Sequence, residues 1–377
     1  MTWQRIRAVY RKECRHILRD TRSLLMALAV PVLLLLLFGF ALSLDVDRIP
    51  TLVYDADQTA DSRDLVSRFE VSRYFQVQGY VNDYHHLEEE IDYSRILVGV
   101  AIPKGYAKHV RAGEKSDVQI LLDGSDSNTA SIALTYAESL VGQYAFQVRA
   151  RSQNHTAGVN LILPIEPRSR VWYNSSLESK NYIVPGLIAV ILMIIAALLT
   201  SLTVAREWET GTMEQLLATP LRPAEIVLGK MMAFFLVGAG DTVITVLAGL
   251  LVFHVPFRGS MLVFAATGCV YLCGALFWGI YLSAVTRSQL LAYQMGIVTS
   301  FLPSFLLSGF IYSVENMPEA VQMITRIVPA RYFVTIVKGI LLKGVGLEVL
   351  WPEAFFLVLF TGLVFLGATR KLSQKLS

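Results

Sequence analysis

Six runs of predominantly apolar residues, at 23–44, 182–204, 231–253, 261–285, 290–312 and 352–369, are separated by polar stretches of very unequal length. A helix takes about 17–25 such residues to cross roughly 30 Å of hydrocarbon. Lipid offers no partner to a free peptide group, so each run is expected to be helical. The pattern predicts an α-helical polytopic membrane protein with six transmembrane helices. The one long polar stretch, 45–181, predicts an extracytoplasmic α/β domain inserted between helices 1 and 2. Ala41-Leu42-Ser43 resembles a signal cleavage site. The uninterrupted apolar part, 24–40, exceeds the roughly 7–15 residues of a secretory apolar region, so an uncleaved signal anchor is expected.

Composition agrees with a membrane chain. Of the 377 residues, 54% are apolar and 17% charged, against about 45–50% and about 25% in a soluble domain. Three cysteines exclude a disulfide scaffold, and a net charge of +3 is too small to suggest nucleic acid. Basic residues set the orientation. The head, 1–22 (Arg5, Arg7, Arg11, Lys12, Arg15, Arg19, Arg22), the 205–230 loop (Arg206, Arg222, Lys230), the 286–289 turn (Arg287) and the tail, 370–377 (Arg370, Lys371, Lys375), fall on one side. The short loops opposite hold only Arg258, Arg326, Arg331, Lys338 and Lys343. The positive-inside rule places both termini in the cytoplasm and 45–181 outside.

Within that insert, strand-like runs at 51–54, 75–80, 96–102 and 118–122 alternate with helix-like stretches at 61–70, 84–93 and 104–112, as in a small α/β domain. A long helix is expected from 128 to about 151. Ile132, Tyr136, Leu140, Tyr144 and Val148 step by four along one face, which is expected to pack on its own domain rather than on a partner subunit. Asp123-Gly-Ser-Asp-Ser-Asn128 is rich in oxygen ligands but lacks EF-hand spacing, and it reads as a turn and helix cap. The insert contains no cysteine.

On the cytoplasmic side, Trp3, Ile6, Tyr10, Cys14 and Ile17 recur at helical spacing among basic residues. They predict a basic amphipathic helix lying along the membrane surface. The loop after the second span reads Arg206-Glu-Trp-Glu-Thr-Gly-Thr-Met-Glu-Gln-Leu-Leu-Ala-Thr-Pro220. Thr212 with Gln215 is a candidate capping box, Met213, Leu216 and Leu217 share a face, and Pro220 stops the helix. Pro223 and Glu225 start the helix that leads into the third span. A short capped helix with acidic residues and an apolar tip is suited to a groove on another protein, and Glu207, Glu209 and Glu214 disfavour a helix that merely lies on anionic lipid.

This loop resembles the coupling loop of ABC-2 type exporter permeases. Val255-Pro-Phe-Arg-Gly-Ser260, Leu302-Pro-Ser-Phe-Leu-Leu-Ser-Gly-Phe310, Glu315-Asn-Met-Pro318 and Pro329-Ala-Arg-Tyr-Phe333 are similar to later segments of the same family. The large insert matches its subgroup with an extracytoplasmic domain. The resemblance implies one half of a dimeric permease in a bacterial inner membrane, homo- or heterodimeric, gripped by an ABC ATPase subunit. It implies export of amphipathic, drug-like or lipid-like substrates, with a periplasmic adaptor left open. Residues 212–218 would match the coupling helix. The implied ATPase contacts are Arg206, Glu207, Glu209, Thr210, Gly211, Thr212, Met213, Glu214, Gln215, Leu216 and Leu217. The head would match the family's connecting helix. The chain itself carries no G-x-x-x-x-G-K-[ST] loop, so ATP-Mg is expected on the partner and no cofactor on this chain. Gly113-Glu-Lys-Ser116 only echoes that loop, and Leu307-Ser-Gly309 lies within a span.

Asp241 is the one carboxylate well inside a span. Such a residue is either part of a substrate or proton path or a hydrogen-bonded packing residue, with Thr242 and Thr245 nearby. Cys269 and Cys273 share a face without further ligands and read as packing residues rather than a metal site. His254 is expected at the interface. Pro303 predicts a kink. Residues 313–351 exceed a simple turn: Pro318 begins one helix that Pro329 ends, and a second runs from 330 to 343 and closes at Gly344. Both are too short to span and predict a pair of external re-entrant or interfacial helices. In the family's terms they form an exit gate, with Pro303, Pro318, Pro329 and Tyr332 as its kink and gate residues. The rival readings are a receptor whose external α/β domain binds a ligand, and a membrane enzyme, for which no catalytic constellation is evident.

Overall fold

The computed structural model describes residues 2–42, 47–112, 114–157, 173 and 178–374. The chain divides into two compact units: Met1–Ser43 with Arg170–Ser377, and Leu44–Ser169.

The chain opens with helices α1 (Trp3–Arg19) and α2 (Thr21–Ala41), broken only at Asp20. The smaller unit follows. It holds β1 (Ile49–Asp55), α3 (Ala60–Val71), β2 (Phe75–Val81), α4 (Tyr84–Asp92), β3 (Val98–Ile102), α5 (Tyr106–Ala112), β4 (Gln119–Leu122) and α6 (Ser127–Ala157). The expected alternation of strands and helices is present. The sheet order is β2-β1-β3-β4, with β1 parallel to both β2 and β3, and β4 antiparallel to β3. Every residue of β3 is buried, as its uninterrupted apolar run requires of a strand covered on both faces. Of the α6 face predicted to be apolar, Tyr144 is buried in this unit's core, Leu140 and Val148 pack against it, and Tyr136 stacks on Tyr74 at 4.0 Å; Ala133 and Ala137, beside that face, are buried there as well. Asp123 accepts hydrogen bonds from the Ser125 hydroxyl (2.5 Å), the Ser125 N–H (2.9 Å) and the Ser94 hydroxyl (3.2 Å), and these, the Ser125 hydroxyl foremost, hold its carboxyl below the usual aspartate range. The turn reading of 123–128 fits that bonding.

The larger unit continues with α7 (Ser179–Glu209), α8 (Thr212–Leu217), α9 (Pro223–Leu251), α10 (Met261–Thr286), α11 (Gln289–Gly296), α12 (Leu302–Leu306), α13 (Glu319–Thr325), α14 (Pro329–Lys338) and α15 (Leu347–Gln374). Among the described residues, five helices are long and apolar enough to cross a membrane: Leu24–Ala41, Ser179–Glu209, Pro223–Leu251, Met261–Thr286 and Leu347–Ser373. They are the helices of a polytopic membrane protein. Their lengths depart from the apolar runs because the helices continue past the apolar stretches; α7 runs on through Arg206 to Glu209.

The fifth run is not the single helix expected over 290–312. It is α11, a π-turn at Ile297–Phe301 and then α12, which ends at Leu306. Pro303 lacks an N–H, and the wider turn lies just before it, with Pro303 in the first turn of α12. Of the two helices expected in 313–351, α13 ends at Thr325, short of Pro329. The other is α14, extended by a π-turn at Gly339–Lys343 and closed by Gly344 at φ +69°. Together they bend by 87° and count as up to one further span.

At the centre lies α7, buried along most of its length. The helix α10 approaches it so closely that a Cβ on Gly279 would sit 2.3 Å from the Ala197 carbonyl oxygen. The Tyr271 hydroxyl donates to the Ala189 carbonyl at 2.9 Å, and its ring stacks on Phe333 at 4.1 Å.

Candidate functional site

The predicted docking element exists, but its start differs from expectation. Gly211, not Thr212, caps α8; it sits in the left-handed region at φ +71°, and no side chain completes a capping box. Nothing lies within 4 Å of a Cβ built there, so conformation rather than space demands glycine. The Thr212 hydroxyl shares a bond with the Thr210 hydroxyl at 3.0 Å, while Thr210 itself donates to the Arg206 carbonyl at 2.8 Å.

Burial sorts the predicted contacts into two sets. Arg206, Glu209, Thr210, Gly211, Thr212, Glu214 and Gln215 are exposed. Met213 is fully buried in a cluster with Val204, Ile226, Val227, Phe277 and Ile280, and Leu216 packs against the same cluster. Met213 is therefore the root of the helix rather than its tip. The Leu217 side chain lies outside the described residues.

Two of the acidic residues are engaged within the chain. Glu209 accepts from the Gln289 N–H at 2.8 Å and also from its side-chain amide. Beside it, the Arg287 guanidinium stacks on Trp208, so the end of α7 is pinned to the α10–α11 turn. Glu207 points inward and is only 7% exposed. Its Oε1 pairs with Lys12, and its Oε2 lies 2.9 Å from the Lys230 ammonium, in ion contact but off the hydrogen-bonding direction. Lys230, itself 1% exposed, donates to Glu13 Oε1 at 2.9 Å. Among the predicted carboxylates, Glu214 is left as the exposed one with no ion pair or hydrogen bond in the described structure.

The head helix also differs from its predicted face. Ile6, Val9 and Glu13 are buried against α9, while Trp3 is 64% exposed. Its start is held by Glu225, which accepts from the Thr2 N–H (2.9 Å) and the Arg222 N–H (3.0 Å) and lies 3.8 Å from Arg5. Glu13, Lys230 and Arg287 were not among the predicted site residues. A signal existed in two cases: Glu13 is the one acid between residues 3 and 19, and Lys230 abuts an apolar run.

Of the remaining candidates, Asp241 is 1% exposed, accepts from the Thr245 hydroxyl at 3.3 Å, and has no hydrogen-bond partner on Oδ2 among the described residues. Pro318 and Pro329 stand at the starts of α13 and α14. The Tyr332 hydroxyl donates to the Arg326 carbonyl at 2.7 Å, and its ring stacks on Phe356 at 4.9 Å.

Comparison with known proteins agrees with this architecture. Residues 22–370 match a family described as ABC-2 family transporter protein. The chain is 33% identical to the "Probable multidrug ABC transporter permease YbhS" of Escherichia coli K12, over 99% of this chain and 98% of that one. It is 32% identical to the "Probable multidrug ABC transporter permease YbhR" of the same organism, over 95% of each. The "Inner membrane transport permease YhhJ", also from E. coli K12, is 27% identical over 92% of this chain and 93% of its own.

Proposed function

We propose a function from one premise: this chain belongs to the ABC-2 transporter family. It is a multi-pass inner-membrane subunit of an ABC transporter, not an enzyme in its own right. The finer reading is that two such subunits form an export path and that a separate ATPase subunit, carrying ATP-Mg, grips each from the cytoplasm. Both termini are cytoplasmic in this reading, residues 45–181 are extracytoplasmic, and the substrates are amphipathic, drug-like or lipid-like molecules.

The observation that carries it is the division of α8. Met213 roots the helix in the subunit's core with no exposed surface, while Thr212, Glu214 and Gln215 face out. A short helix anchored on one side and polar on the other passes force into the bundle when a partner holds its free side. The test is co-purification from detergent. The tagged chain brings down an ATPase with a Walker A loop, and Glu214→Lys with Gln215→Lys loses that ATPase while inserting normally. Recovery of the wild-type chain alone, or undiminished capture by the variant, overturns the reading.

A cleft in the smaller unit, about 540 Å³ and lined by Tyr54, Tyr84, Pro103, Asp117 and Gln119, supports the second reading of a ligand-binding receptor. A ligand that bound this cleft and altered a signal in a complex without any ATPase would favour it.

A further inference from the structure

We propose that Lys230 is a positioning residue: one buried ammonium that joins the head helix and the base of the coupling segment to the third span, so that a push on α8 moves α1 and α9 with it. This rests on the docking role of α8 for its purpose, but not for its geometry.

Three helices meet at this side chain from distant parts of the sequence. Lys230 on α9 contacts Glu13 on α1 and Glu207 in the last turn of α7, each at 2.9 Å. The side chains are 1%, 5% and 9% exposed. Lys12, half-exposed, pairs with Glu207 and lies 3.5 Å from Glu13, so two carboxylates are matched by two ammonium groups. Glu207 stands five residues before Thr212, the first residue of α8.

Stability does not account for this arrangement. Taking the three buried groups Glu13, Glu207 and Lys230 out of water carries a desolvation cost that their mutual attraction roughly offsets, and well-packed apolar residues of similar volume often do as well or better. What a buried ion cluster supplies is a specified relation between the elements that carry it. The backbone nearby is shaped for close approach: a Cβ on Gly229 would meet the Val9 Cβ at 2.6 Å and the Ile6 carbonyl oxygen at 3.1 Å. The joint therefore holds α1, α7 and α9 in one relation, so that they move together.

The test uses spin labels at two exposed positions, Leu18 on α1 and Gln215 on α8, in the full chain with its three cysteines replaced. Lys230→Met alone strands two buried carboxylates, so the informative variant is the neutral triple Glu13→Gln, Glu207→Gln and Lys230→Met. With Lys230 intact, the label pair gives one narrow distance distribution in detergent. The triple variant folds and inserts normally but gives a broader, shifted distribution. A triple variant indistinguishable from wild type overturns the joint. Because the permease is measured alone, these outcomes stand apart from whether an ATPase co-purifies. Where an ATPase does co-purify, the triple variant keeps it bound and keeps hydrolysis but loses the nucleotide-driven shift of the Leu18 label. Loss of the bound ATPase would assign the cluster to docking instead and overturn the joint.

Discussion

The guanidinium of Arg287 lies 4.6 Å from the centre of the Trp208 ring, although Arg287 itself sits in the left-handed region at φ 57°. A non-glycine residue there is strained by roughly 1–2 kcal/mol, and the stacked cation returns about 0.5–1 kcal/mol at a site of this exposure. Arg287→Ala keeps the strain and loses the contact, and is expected to be less stable by about 0.5–1 kcal/mol. Arg287→Gly loses both and is expected to melt close to wild type. Thermal melting followed by tryptophan fluorescence separates the two; an alanine variant as stable as the glycine variant would refute the strain argument.

Gly279→Ala is expected to be severe. Its Cβ would lie 2.0 Å from the Thr200 hydroxyl oxygen and 2.3 Å from the Ala197 carbonyl, and the latter is backbone that cannot swing aside. The cost is expected at or above the upper end of overpacking, about 3 kcal/mol. Gly362→Ala, with nothing within 4 Å, is the matched control and should express as wild type. Monodisperse yield in detergent reads both.

The Glu13 carboxyl offers a pH dependence with a definite sign. Burial by itself would raise it, but the hydrogen-bonded Lys230, with Lys12 and His16, outweighs burial and holds it below the usual glutamate value. A carboxyl depressed in the folded state contributes stability that is fully present above its unfolded value, about 4.3, and is lost as pH falls through the folded value. The gap in melting midpoint between wild type and Glu13→Gln should therefore be open at neutral pH and close in acid. A gap that widens on acidification would contradict the pairing.

In the smaller unit, Asp57 accepts from the Gly105 N–H at 2.8 Å and the Ala107 N–H at 2.9 Å, capping α5 from a neighbouring loop. Burial opposes the charge, but these backbone donors and the Thr59 hydroxyl prevail and lower its carboxyl. Asp57→Ala should cost about 1 kcal/mol, as loss of a helix cap does. Faster amide exchange at Gly105 and Ala107, with little change in α10, is the expected signature.

Much of this protein was legible along the chain. Apolar runs long enough for lipid located the membrane helices, because a span must be continuous in sequence and satisfy its own backbone. The alternation within 45–181 announced the small sheet, and the polar, proline-bounded stretch after Glu209 announced α8. Two departures share a cause: capping at α8 depends on the φ of Gly211, and the fifth helical run stops at Leu306, ahead of Gly309 at φ 78°. Neither is a property of residue type alone.

What the tertiary structure alone decided is which side chains of the candidate site look outward. Glu207 and Glu214 are the same residue type seven apart, yet one is drawn inside by an ammonium 23 positions later in the chain and the other is left in solvent. Glu13 was hidden in a basic helix for the same reason. Periodicity ranks positions by a helix's own faces, whereas a buried ion pair is set by Coulomb attraction across helices that are neighbours only in space.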